Sequence, residues 1–492
     1  MDSKDGNQVD LHRLARQSML AHGFQPDFGP AVLKQLAELK AHPPALVPDS
    51  GMRDLRHLLW SSIDNDSSRD LDQIEVVERL SNGDVRVLVG IADVDAFVPK
   101  QSAIDQHAAQ QTTTVYTGVE TFSMLPEQLS TGASSLLEVD DKLSFVTELV
   151  IDANGGVVSS DFYRAVVRNQ AQLTYSAVGA WLEAKAGAPE KVAASPGLQE
   201  QLKLQDQVAQ ALKSERHRQG ALNIDTIEVQ AVVANHEVLD IARQSKNRAT
   251  ELIEEFMIAV NGAVARKLDE KKMSCIRRVV RSPERWDRIV QLAARQGEQL
   301  PPQPDSKALN EFLTRSKAAD PDHFPDLSLA VIKLMGPGEY VLQRAGDAST
   351  GHFGLAVQDY THSTAPNRRF ADLITQRLIR AMLEKSPSPY TDEELSAIAS
   401  ICTEKENAAR KVEREMSKRI SAVVMSDRVG ETFDAIVTGV NVHGTFVRVL
   451  QPHLEGLLQR GQQGLDVGDR IRVTLIKTDV ERGYIDFARA NT

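Results

Sequence analysis

Four aspartates fall within nine positions of this 492-residue chain, in the stretch Ile63-Asp64-Asn65-Asp66-Ser67-Ser68-Arg69-Asp70-Leu71-Asp72-Gln73. Carboxylates crowded in this way repel one another and raise each other's pKa until a cation neutralises them. A compact loop of hard oxygen donors suits Mg²⁺ or Mn²⁺, ions that bridge to substrate phosphates. The plainer reading is an acidic surface turn. An apolar stub, Leu58, Leu59 and Trp60, precedes the loop, and an apolar run with strand character follows from Val85 to Asp93. Spacing and flanks together favour the metal-binding reading.

A second group of chemically able residues lies far downstream, in Tyr360-Thr361-His362-Ser363-Thr364-Ala365-Pro366-Asn367-Arg368-Arg369-Phe370-Ala371-Asp372-Leu373. A planar guanidinium there can hold two phosphate oxygens and stabilise charge that builds in a transition state. Phosphodiester hydrolysis at neutral pH needs a water turned into hydroxide, neutralised phosphoryl oxygens and help for the leaving oxygen. A pair of metals about 4 Å apart can supply all three.

These blocks carry a family resemblance. Asp54-Leu55-Arg56, Ser62-Ile63-Asp64, Arg69-Asp70-Leu71-Asp72 and Val89-Gly90-Ile91-Ala92-Asp93-Val94 resemble the catalytic opening of the RNase II/RNase R (RNB) family of 3′–5′ exoribonucleases. Gly351-His352-Phe353-Gly354-Leu355 and the downstream block resemble that family's second signature, in the right order. The resemblance spans roughly residues 51 to 490. It implies a metal-dependent, processive 3′-to-5′ exoribonuclease that hydrolyses single-stranded RNA to nucleoside 5′-monophosphates, using Mg²⁺ or Mn²⁺. It further implies Asp64, Asp70 and Asp72 as metal ligands, directly or through water, with Asp72 also catalytic. Asp66 lies outside the pattern and reads as a turn residue.

Arg368 matches the family arginine at the scissile phosphate, with Arg369 beside it as a further RNA contact. Tyr116, upstream of Met124-Leu125-Pro126, falls where the family stacks a tyrosine on the terminal base, a sequence-tolerant contact. Glu413 matches a glutamate lining the channel. No counterpart is found for the second aromatic of the base clamp. Gln73 stands where a fourth aspartate is usual. Its oxygen can ligate a metal or orient a water but adds no charge. Ser363, Ala365, Asn367 and Phe370 also depart from the family pattern, changes expected to touch the channel wall more than the metal site. A rival reading on the same fold is a catalytically weak or inactive RNA-binding regulator, which Gln73 favours and the retained aspartates and Arg368 oppose.

Composition narrows the options further. Net charge is −11, which argues against a protein that coats nucleic acid through bulk positive charge. Basic pairs such as Arg266-Lys267 and Lys271-Lys272 read as solvated helix faces. No apolar run approaches the ~18 residues of a membrane span, and the N-terminus lacks a secretory pattern. Two cysteines, Cys275 and Cys402, have no ligand-like spacing and read as buried thiols in a reducing compartment. A cytoplasmic monomer is expected, with no membrane or DNA partner.

The elements that must position this chemistry read as an α+β fold in three domains. Residues 1–50 form two short helices about Gly23-Phe24-Gln25-Pro26, either a helix-turn-helix or an extension packed on the body. Fifty residues cannot hold the two cold-shock domains that family members often carry there, so a short form is expected. A DNA-binding role for the two helices is disfavoured, because the segment is short and mildly charged. Residues 51–427 form the RNB-type catalytic domain, with strands at 85–91, 145–151 and 157–167 and helices at 247–268, 370–383 and 394–424. Polar stretches at 186–197, 300–306 and 320–326 read as loops. Residues 428–492 hold five short strands with glycine turns, which suits an OB barrel resembling the S1-type RNA-binding domain. Phe433, His443 and Phe446 are its candidate base-stacking residues.

Overall fold

The computed structural model describes residues 9–46, 51–225, 228–234, 237–244, 246–321 and 323–490. Two helices come first, α1 (Leu11–Ala21) and α2 (Pro30–Ala41). Asp10 caps α1 by accepting the Arg13 N–H, and Pro30 opens α2 where a missing N–H is harmless.

These helices are an extension on the body. Leu14, Met19 and Phe24 pack with Val115, Val412 and Met416, and Ser18 and His22 both bond Glu415 at 2.7 and 2.9 Å.

Four strands follow: β1 (Met52–Asp54), β2 (Trp60–Asp64), β3 (Gln73–Arg79) and β4 (Val85–Ala92). After them come α3 (Ala103–Gln111), the short hairpin β5 (Val115–Tyr116) and β6 (Thr121–Phe122), and the long pair β7 (Asp141–Ile151) and β8 (Val157–Thr174). The sheet runs β1-β8-β2-β3-β4-β7, and a further β7–β8 pairing closes it on itself. β8 extends well past its expected end at 167, because 169–174 pair in parallel with β2. Gly90 lets the ring close tightly: a Cβ there would sit 2.9 Å from Ser144 Oγ and 3.2 Å from Ile74.

Helices cover the ring: α4 (Tyr175–Leu182), α5 (Glu190–Ala193), α6 (Pro196–Arg218) and, beyond the hairpin β9 (Glu228–Ala234) and β10 (Glu237–Gln244), α7 (Arg248–Glu270). The loop expected at 186–197 thus holds α5 and the first residues of α6. β11 (Cys275–Val279) pairs with β12 (Glu339–Gln343). Arg277 and Arg278 on β11 are buried against Asp269 and Glu406.

Between them α8 (Trp286–Arg295), α9 (Ser306–Ala319) and α10 (Phe324–Met335) enclose their own apolar cluster around Trp286, Phe312 and Phe324. The loop expected at 320–326 ends early, since α10 starts at Phe324 with Pro325 in its first turn. Then come α11 (Phe370–Glu384) and the 35-residue α12 (Asp392–Ser426), started by a Thr391–Glu394 capping box. Cys275 and Cys402 are free and buried, as expected.

β13 (Thr432–Asn441), β14 (Gly444–Val449), β15 (Leu454–Arg460), β16 (Arg470–Asp479) and β17 (Tyr484–Arg489) close a barrel in the order β13-β14-β15-β17-β16. Ala422 and Met425 of α12 join its core, so the helix is its stalk. Phe433 is one correction here. It is 6 % exposed and packs edge-on to Phe487, inside the barrel rather than on a stacking surface. Phe446 alternates outward between buried Val447 and Thr445, and His443 is exposed.

Candidate active site

The acidic loop is pinned at its apolar centre. Leu71 is fully buried, its N–H donates to Ser135 Oγ at 2.9 Å, and its carbonyl accepts from Leu136 N–H. The Asp72 carbonyl accepts from Ala92 N–H at 2.9 Å, which stitches the loop to the end of β4. Asp72 is therefore held inward, 3 % exposed, while Asp66 sits in an exposed turn bonded to Ser176. Asp64, the last residue of β2, accepts from Asn65 N–H and Ser68 Oγ.

Two distant segments reach the same place. Asn367 N–H donates to Asp72 Oδ1 at 3.0 Å, and Arg368 Nε lies 3.4 Å from Asp72 Oδ2. The 112–114 strand end pairs with 368–370 through Thr114 N–H to the Arg368 carbonyl and Phe370 N–H to the Thr112 carbonyl. That pairing sets Tyr116 opposite the loop, where its hydroxyl donates to Asp70 Oδ2 at 3.3 Å. Glu413 of α12 accepts the Tyr116 N–H at 3.2 Å, so it steadies the tyrosine's backbone from behind.

Burial dominates the electrostatics. The Asp72 carboxyl is pushed up to about 7 by desolvation, with Asp70 and Asp372 adding repulsion and Arg368 opposing it. Asp64 is raised by burial and by Asp70, again opposed by Arg368. Two carboxylates, Asp64 and Asp72, thus share the field of one arginine. Among the described residues, no group of three or more His, Cys, Asp or Glu side chains is arranged as a ready metal cage. Gln73 is buried at the start of β3, opposite Ile91.

Arg369 has a structural task besides its place at the cavity that Arg368 also borders. Its guanidinium grips Asp372 with two bonds of 2.9 and 2.8 Å, and Asp372 also accepts Ala365 N–H. It builds the turn that presents Arg368. The family departures are likewise structural: Ser363, Ala365, Asn367 and Phe370 are all buried beneath the site. They lie in its packed support, not along a channel wall, and Asn367 touches Asp72 directly.

A cavity of about 240 Å³ opens beside the Arg368 turn and the Tyr116 hairpin, lined by Tyr116, Arg368, Arg369, Glu413 and also by Thr113, Tyr340, His362 and Glu406, and by no residue of the acidic loop. Tyr340 and His362 meet edge-on, with Tyr340 Oη and His362 Nδ1 2.8 Å apart. His362 was visible inside the downstream block, whereas nothing local marks Tyr340. The barrel residues His443 and Phe446 line no part of this cavity.

Comparison with known proteins identifies the family. The family model for the RNB domain matches residues 52–385, and that for the RNase II-type exonuclease C-terminal S1 domain matches residues 431–490. The chain belongs to the RNB family. It is 28 % identical over 478 residues to ribonuclease R 1 of Lactococcus lactis, covering 90 % of this chain and 57 % of that protein. Ribonuclease R of Thermotoga maritima is 29 % identical over 474 residues, 89 % of this chain and 64 % of that protein. The chain thus spans about three fifths of the length of these curated relatives. Mycoplasma genitalium RNase R in complex with ribose methylated single-stranded RNA superposes with a TM-score of 0.86, at 22 % identity, over 99 % of this chain and 79 % of that one. The structure of yeast Ssd1, a pseudonuclease, shares the fold at a TM-score of 0.73 and 16 % identity, over 95 % of this chain and 58 % of that one. Among the described residues, no helix is long and apolar enough to cross a membrane.

Proposed function

We propose that this chain is a metal-dependent, processive 3′-to-5′ exoribonuclease that hydrolyses single-stranded RNA to nucleoside 5′-monophosphates. One observation carries the reading: the acidic loop meets both the Arg368 turn, through Asp72, and the Tyr116 hairpin, through Asp70, although the three are far apart in the sequence, and Arg368 and Tyr116 line one cavity. The three-domain division at 50 and 427 goes with it, as does action in the cytoplasm as a monomer.

Mg²⁺ or Mn²⁺ fits the donors present. Mg²⁺ keeps several waters and needs only one or two carboxylates besides the substrate's phosphates. Asp70 and Asp72 would hold it, with Asp64 and Gln73 bonding its waters, and the crowded, buried carboxylates supply the negative charge that calls for it. When bound, the ion would furnish an activated water and neutralise phosphoryl oxygens.

The remaining work falls to the protein. Asn367 N–H and the β4 end fix Asp72 in one orientation before substrate arrives. Arg368, half-exposed and already beside Asp72, meets the scissile phosphate and stabilises its growing charge. Tyr116, 44 % exposed, offers its ring to the terminal base, and Glu413 keeps its backbone in place. His443 and Phe446 on the barrel guide the strand inward.

A catalytically weak or inactive RNA-binding regulator is the second reading, and Gln73, which adds no charge where relatives carry an aspartate, favours it. Incubation with 5′-labelled single-stranded RNA and Mg²⁺ or Mn²⁺, beside a chelator control, separates the two. The primary reading expects stepwise shortening from the 3′ end that chelator abolishes. Tight binding without shortening in either metal would establish the regulator.

A further inference from the structure

The hairpin that carries Tyr116 is too small to hold itself. β5 and β6 have two residues each and form a sheet of their own, with Val115 opposite Phe122 and Tyr116 opposite Thr121. An isolated two-stranded hairpin is marginal in water at best. What packs on its apolar face therefore decides where the tyrosine stands.

That face is covered by the N-terminal helices and by α12. Val115 and Phe122, both buried, join one apolar cluster with Leu14 and Met19 of α1, Phe24 of the following turn, and Met416 of α12. The hairpin turn is tied down as well. Thr117 N–H donates to the Glu120 carbonyl, and the Glu120 carboxylate accepts from Arg16 Nη1 at 3.3 Å, with His12 Nδ1 3.6 Å away. Tyr116 lies between these two holds, one residue after Val115 and four before Glu120. On α12, Ser18 Oγ and His22 bond Glu415, two positions from the Glu413 that accepts the Tyr116 N–H. Residues two apart on a helix leave different faces, so α12 is gripped by α1 on one face and steadies Tyr116 from another.

We propose that α1 is a brace for Tyr116. It clamps the hairpin to α12 and so keeps the tyrosine against Asp70 of the acidic loop, where its hydroxyl donates at 3.3 Å. Met19 and Arg16 are then positioning residues for the base that stacks on Tyr116. This rests on the reading above that Tyr116 takes the 3′-terminal base, and it gives the N-terminal helices a task at the site rather than a contact with nucleic acid.

A short single-stranded RNA ending in 2-aminopurine, bound to the full chain in chelator, tests it through affinity and through quenching of the terminal base. Tyr116→Ala sets the scale and should weaken binding roughly tenfold, the usual worth of one stacked base. Met19→Ala should weaken binding about threefold, a part of that stacking, and lose most of the quenching that depends on Tyr116. Added to Tyr116→Ala it should cost nothing more, because residues that act through one another are not additive. Glu120→Lys, at a half-buried surface position facing Arg16 and His12, should lose quenching in the same direction with the thermal midpoint unchanged. Full quenching in Met19→Ala, or in Glu120→Lys should the first variant fail to fold, overturns the brace. Losses that add fully in the double variant overturn it too, since α1 would then act elsewhere. Tyr116→Ala without effect on the terminal base overturns the stacking reading and the brace together.

Discussion

Adjacent arginines at 368 and 369 have opposite tasks. Arg368 is 44 % exposed in its side chain and sits against Asp72, so its guanidinium can meet substrate. Arg369 is spent on Asp372, a carboxylate with no exposure at all. Arg368→Ala should lower single-turnover cleavage by roughly 100- to 1000-fold, the usual loss for one transition-state donor, with RNA affinity nearly unchanged. Arg369→Ala strands a buried charge, a loss of about 3–5 kcal/mol, and should appear first as a lower thermal midpoint. Equal rate losses with equal midpoints would mean the phosphate arginine is misassigned. The crowded aspartates Asp64, Asp70 and Asp72 stood out by type and spacing, and the family resemblance pointed to Tyr116 and Arg368; the structure sets Asp72 against Arg368 and Asp70 against Tyr116. The Arg369–Asp372 grip and the burial of Phe433 were not, since each depends on what distant chain packs around it.

Elements were legible where periodicity is strong and blurred where a partner decides. The two N-terminal helices, α7, α11 and α12 lie within a few residues of expectation, while β8 outran its expected end because β2 supplies a second edge. The β7–β8 turn shows how a helix locks the ring. Gly155 has φ +86°, and a Cβ there would lie 2.2 Å from the Ala211 carbonyl of α6. Gly83 has φ +92° with open space around it. Gly83→Ala should therefore cost only the left-handed strain, about 1–2 kcal/mol, and Gly155→Ala distinctly more by forcing α6 off the hairpin. Thermal midpoints of the two variants check this, and parity between them would show that α6 yields freely. A second test concerns His352, whose Nδ1 accepts the Leu355 N–H at 3.2 Å. Burial, then the Arg278 charge, lowers it from 6.5 to about 4. The unfolded chain then binds the extra proton between those values, so stability falls as pH drops through 6.5 toward 4. From about pH 7 to about pH 5 this amounts to about 2 kcal/mol. His352→Asn, which retains an acceptor, should show a visibly smaller fall in midpoint over that interval, and an undiminished fall would place the acid sensitivity elsewhere.

At the scale of the molecule, the proposed activity requires a chain of net charge −11 to gather RNA locally. The barrel is suited to that: it stands on the end of α12, tied by Arg419 to the Glu481 carbonyl and by Arg448 to Asp326 of α10. Its rim offers His443, the outward Phe446 and exposed basic residues such as Arg470 and Arg472. None of these lines the cavity that Arg368 and Tyr116 border, so the proposed capture and cleavage are separable in space. Removing residues 428–492 should weaken binding of long single-stranded RNA and flatten its salt dependence. Each phosphate that the barrel no longer neutralises lowers the logarithmic slope by about 0.7 for a single strand, so a rim that pairs with roughly three or four phosphates accounts for a change of roughly 2 to 3. Short oligonucleotides, which reach the cavity without the barrel, should still be shortened at close to the full rate. The cut bares Ala422 and Met425, which belong to the barrel's core, so both should be replaced by Gln to keep the truncated helix soluble. Affinity measured across a salt series, beside single-turnover cleavage of a short and a long RNA, reads both halves of the argument. A folded truncation with an unchanged slope would remove the barrel from RNA capture. One that binds but cannot shorten even short RNA would show that the barrel also shapes the cavity through α12, whose Glu413 holds Tyr116 in place.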